Sequence, residues 1–113
     1  VTGATTPLAV ERVVESACSR RLLLDVNQPV TAQVYKSVPL SGGKLANIDG
    51  PEVGDVITEL SRRAWLRDPT DAEVAELRQL ARDIEAAHPD DAALQWGLAA
   101  CFVTFTSAEA VFY

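Results

Sequence analysis

At 113 residues, 48% of them apolar, the chain has the length and the apolar content of one globular domain with a core of its own. Its ten Lys and Arg against sixteen Asp and Glu give a net charge of −6, which disfavours a sequence-independent grip on nucleic acid or on an anionic membrane surface. No apolar run approaches the ~18 residues that a membrane span needs, the longest being GLAACFVTF at 97–105. Charge is unevenly placed: residues 1–50 hold five basic and four acidic groups, residues 51–113 five basic and twelve acidic. The chain opens on Val1 and has no methionine, as a processed product or a piece of a longer chain would.

The first periodic segment follows TTP, with Thr6 as N-cap and Pro7 at the first helical position. A helix to about Leu24 then places Val10, Val13, Val14, Ala17, Cys18 and Leu22 on one stripe. In the next stretch, Thr31–Ser37 is read as a short helix, because an isolated strand would leave its backbone groups unpaired.

VPLSGGKLANIDGP, residues 38–51, raises the question of a phosphate cradle. A P-loop needs a glycine five positions before the GK pair, and Val38 stands there. LSGGK also has the lettering of the signature loop of ABC-type ATPases, but the segments that would give that loop work are missing. Turning the chain is the simpler role for Pro39, Ser41, Gly42 and Gly43. Asn47, Asp49, Glu52 and Asp55 lack the alternation and sixth-position glycine of a calcium loop, so Asp49 is read as the cap of the next helix, with Pro51 in its first turn. That helix buries Val53, Val56, Ile57, Leu60 and Ala64, with Trp65 at the edge.

Thr70 and Glu73 have capping-box spacing before a helix whose inner face is Val74, Leu77, Leu80, Ala81 and Ile84, and Pro89 stops it after His88. A last long helix, about Asp90 to Thr104, carries Leu94, Leu98, Cys101, Phe102 and Phe105 on one face and Ala92, Trp96, Ala99 and Val103 on the other. Such a helix is either central in its bundle or covered by a partner. Ala93, Gly97 and Ala100 form a small-residue ridge for close helix approach. Thr106 and Glu109 repeat the capping-box spacing before Phe112 and Tyr113. The fold expected is all-α, one compact domain over residues 1–113 with four to five helices.

No assembled chemistry emerges. His88 has no second histidine or nearby cysteine for zinc; CxxCH, GxSxG and HExxH are absent, and no pair of carboxylates stands out as a general acid and base. No catalytic residue, metal ligand or cofactor is assigned. Cys18 and Cys101 fall on core faces of the first and last long helices; they read either as two buried thiols or, in an oxidising compartment, as one disulfide.

From about residue 59 the chain resembles a family of uncharacterised helical domains of large secreted bacterial proteins, often found beside c-type cytochrome modules. ELSRRAWLRDPTDAEVAELRQL is similar to that family's arginine-rich helix end, proline turn and capped helix, and AALQWGLAACFVTFTSAEAVFY to its closing apolar helix and aromatic-tipped turn. Arg67, Asp68 and Pro69 stand where the family has RRP, and residues 1–58 have no counterpart. The resemblance implies a non-catalytic module outside the cytoplasm, periplasmic or secreted, and favours the bridged form of Cys18 and Cys101. The function expected is a structural or protein-interaction subunit of a larger assembly, with other protein subunits as partners and Trp96, Val103, Phe112 and Tyr113 as candidate interface. The alternative is a bundle that binds an apolar ligand beside Trp96 and Phe102.

Overall fold

A computed structural model describes residues 5–28, 34, 35, 45 and 47–111. They form an all-α bundle of four helices, α1 (Thr5–Asn27), α2 (Pro51–Trp65), α3 (Asp71–Ala87) and α4 (Ala92–Val111). None of these helices is long and apolar enough to cross a membrane.

α1 runs three residues past the expected end at Leu24. Its extension carries Asp25, whose side chain is buried and whose Oδ2 accepts from the backbone N–H of both Val34 and Tyr35, each at 3.0 Å. Because those amides bond to a carboxylate rather than to carbonyls one helical turn back, the chain bends at Val34 and Tyr35 instead of forming the expected helix. The other positions of Thr31–Ser37, like the glycine pair at 42 and 43, lie outside the described residues.

Asp49 does not cap α2. The N-cap is Gly50, no side chain bonds the first turn, and Pro51 opens the helix. Asp49 instead pairs with Arg82 of α3 at 2.5 Å, while Arg78 donates to the carbonyls of Ile48 and Gly50. Two arginines of α3 thereby hold the turn that starts α2. Gly50 suits this spot, since a Cβ there would lie 2.9 Å from Asn47 Nδ2. The expected stripe Val53, Val56, Ile57, Leu60 and Ala64 is buried, joined by Ser61, whose hydroxyl donates to the Ile57 carbonyl. α2 ends on Leu66 in the left-handed conformation, φ 58°, its N–H donating to the Arg62 carbonyl.

α3 starts with the expected capping box: Glu73 N–H donates to Thr70 Oγ1 at 3.2 Å, and Thr70 N–H donates to Glu73 Oε1 at 2.8 Å. His88 is its C-cap, ahead of Pro89. Leu77 and Ala81 are buried, with Val74, Leu80 and Ile84 packed against the core.

α4 does not stop at Thr104. No glycine or proline interrupts residues 98–111, and Thr106, expected as a fresh cap, donates back to the Phe102 carbonyl at 2.7 Å inside a continuous helix. α1, α2 and α3 all pack mainly on α4, and the contact of α2 with α3 is slighter. The apolar character all round α4 is therefore that of a central helix. Ala93, Trp96 and Ala100 are 0% exposed, Gly97 is buried, and Tyr35 reaches across to donate its hydroxyl to the Gly97 carbonyl at 2.7 Å. Burial, and secondly the charge of Asp25, push the Tyr35 phenol above its ordinary pKa, so it stays a donor.

Candidate functional site

α1 and α4 are joined by a disulfide between Cys18 and Cys101, Cα to Cα 5.8 Å, with both cysteines in the core. Val14 lies one turn before Cys18 and Phe105 one turn after Cys101, and both border the same cavity, as they do when the two helices run antiparallel. This cavity, of about 350 Å³, is an open groove between α1, α2 and α4. α1 supplies Val13, Val14, Ala17, Cys18 and Arg21, the i, i+1, i+4, i+5, i+8 face of one helix; α2 supplies Leu60 and Arg63; α4 supplies Cys101 and Phe105; Val34 completes the wall.

Two of the α1 residues expected in the core are not covered. Val13 is 68% exposed and Ala17 is exposed, whereas Cys18 and Leu22 farther along the same stripe are buried. The stripe predicted from periodicity is thus half core and half groove wall. The apolar face continues, and the described residues stop filling it.

The only charged groups among the described lining residues are two guanidiniums. Arg63 donates from Nε to Glu59 Oε1 at 3.0 Å, one turn back on α2. Arg21 stands 3.5 Å from Asp25 Oδ1, and its Nε is buried without a hydrogen bond.

A second cleft of about 320 Å³ lies among Trp65, Glu73, Glu76, Leu77, Leu80, Val103, Thr104 and Ser107. Two of its polar residues, Glu73 and Thr104, are already engaged. Glu73 takes both Arg67 Nη1 and Nη2, at 2.8 and 2.9 Å, in addition to its capping bond, and the Arg67 guanidinium lies 5.0 Å above the Trp65 ring. The hydrogen bonds from Arg67, and then that from the Thr70 amide, hold the Glu73 carboxyl down at about 2. A carboxylate held that low is a poor proton donor or acceptor near neutrality. Thr104 donates to the carbonyls of Ala100 and Cys101.

Of the residues singled out in the sequence, the structure brings Cys18 and Cys101 together. Trp96 is corrected from interface to core, because the ring is fully buried against α3 and its Nε1 donates to the Leu77 carbonyl at 3.0 Å. Neither Trp96 nor Phe102 lines the apolar groove. Val103 is 41% exposed and faces the second cleft. Phe112 and Tyr113 lie outside the described residues. Among the described residues, no three His, Cys, Asp or Glu side chains are grouped as metal ligands.

Arg21 and Asp25 are the site residues that sequence reasoning missed. The signal was present: both continue the apolar stripe of α1 after Cys18, and a charged residue on a core stripe is unusual unless it is paired or used. No protein-family model matches the chain, and no curated protein or solved structure is found similar to it.

Proposed function

We propose that this chain is a non-catalytic helical module, working outside the cytoplasm, whose groove between α1, α2 and α4 takes up an apolar molecule. The observation that carries this reading is the uncovered half of the α1 stripe: Val13 and Ala17 turn apolar surface toward a space of about 350 Å³, within the size range of small-molecule sites. The extracytoplasmic placement is supported by the disulfide, since such bonds persist in oxidising compartments. The central position of α4 removes the reason its two apolar faces gave for a covering partner, and so favours ligand uptake over the subunit reading.

The test uses the uncharged dye N-phenyl-1-naphthylamine. Oxidised protein should bind it one to one with a rise in fluorescence, and Ala17→Trp, which places bulk in the groove from an exposed position, should weaken binding at least tenfold. No binding, or equal binding to the Ala17→Trp protein, would overturn the reading.

A second reading, a structural subunit of a larger assembly, draws on Leu23 and Leu24, which are 58% and 43% exposed on α1 and do not line the groove. Light scattering on protein purified without reductant from its native source separates the two: a large particle supports the subunit, a lone chain the ligand binder.

A further inference from the structure

Resting on that reading, we infer that the groove's ligand is a single-chain acyl carboxylate, its tail between α1 and α4 and its head on Arg21 and Arg63. Both guanidiniums are permanently charged and offer five N–H donors each in a planar fork. At Arg21 these donors are poorly used among the described residues: Nε is buried without a hydrogen bond, and the ion-pair partner, Asp25 Oδ1, is 3.5 Å away. Asp25 cannot swing over to close a fork, because its other oxygen holds the amides of Val34 and Tyr35. At Arg63, Nε alone is bonded to Glu59, and among the described residues its two Nη groups have no acceptor.

The groove therefore joins an apolar wall to two guanidiniums that keep N–H donors beyond the one carboxylate each faces. No carboxylate stands among its described lining residues, although the chain as a whole carries a net charge of −6. Asp25 and Glu59 each face one of these guanidiniums from outside the lining, yet both forks keep further N–H donors, and a carboxylate head matches such a fork with two parallel bonds. At about 350 Å³ the space is at the small end for ligand sites, which favours one chain and a compact head over a glycerol-linked phosphate.

The experiment titrates the oxidised, full chain by calorimetry with dodecanoate and dodecyl phosphate below their micelle concentrations and dodecanol below its solubility limit, and repeats the series on Arg63→Gln and Arg21→Gln. Dodecanoate should bind one to one and at least tenfold tighter than dodecanol. Each substitution should weaken dodecanoate about tenfold and leave dodecanol unchanged. Arg21 adjoins the buried Asp25, so if Arg21→Gln fails to fold, Arg63→Gln, whose side chain is 40% exposed, decides. Equal affinity for dodecanoate and dodecanol, unmoved by Arg63→Gln, overturns the carboxylate head and leaves apolar uptake standing. Dodecyl phosphate binding tenfold tighter than dodecanoate overturns the choice of head. No binding of any of the three overturns both the head and the apolar groove as a ligand site.

Discussion

In the last turns of α1, the buried carboxylate of Asp25 stands in for the helical carbonyls that Val34 and Tyr35 would otherwise seek. Replacing it by alanine strands two buried amides, and the expected loss is on the order of 3 kcal/mol, measured by urea denaturation. Asp25→Asn keeps an acceptor oxygen and should lose less. Glu73, partly buried, is held at about 2 by Arg67 and the Thr70 amide, below the ordinary value of 4.5. A depressed carboxyl adds stability that is present above its unfolded pKa and is lost as pH falls through the folded one. The wild-type midpoint should therefore drop between about pH 5 and pH 2, and the Glu73→Gln protein should follow a flatter curve over that window. These two residues also mark what could be read in advance. The Thr70 and Glu73 box was legible because both partners are three residues apart, whereas Asp25 meets its partners nine and ten residues away across a stretch without periodicity.

At the level of the element, helices were legible where apolar periodicity and a local cap agreed, as in α3 and the body of α2. Their ends were missed where a cap was supplied from elsewhere. Asp49 has the right position and chemistry to cap α2, yet Arg82 draws it away and Arg78 secures the turn, and neither arginine is near in sequence. Thr106 misled for a related reason, since a threonine before a glutamate fits a cap as well as a hydroxyl that bonds back into its own helix. The sign of one substitution separates these roles: Thr106→Ala should be neutral or stabilising by up to about 0.5 kcal/mol, where loss of a true N-cap would cost about 1 kcal/mol. Thermal melts suffice to read it. Leu66 provides a second element-scale prediction, because its left-handed backbone, φ 58°, and 84% exposure leave its side chain little to lose. Leu66→Gly should raise stability by up to about 1 kcal/mol, seen as a higher Tm.

For the whole molecule, the bridge between Cys18 and Cys101 spans 83 positions, and by chain entropy its removal should cost roughly 4 to 5 kcal/mol. Because α1 packs mainly on α4, the Cys18→Ala, Cys101→Ala protein should also lose protection in α1 first, with hydrogen exchange there faster than in α2 and α3. The groove was not legible at this scale, since a stripe of apolar residues reads the same whether a neighbouring helix or open space faces it. The hub position of α4 has a further bearing on how the protein comes to exist. The helix that every other helix needs is the last to be made among them. At ~5–20 residues per second, α1 waits on the order of ten seconds after its synthesis for the surface it will pack on. During that interval Cys18 has no partner thiol and Leu22 has no cover, so a newly made chain is most vulnerable to capture by other chains just before Trp96 and Cys101 arrive.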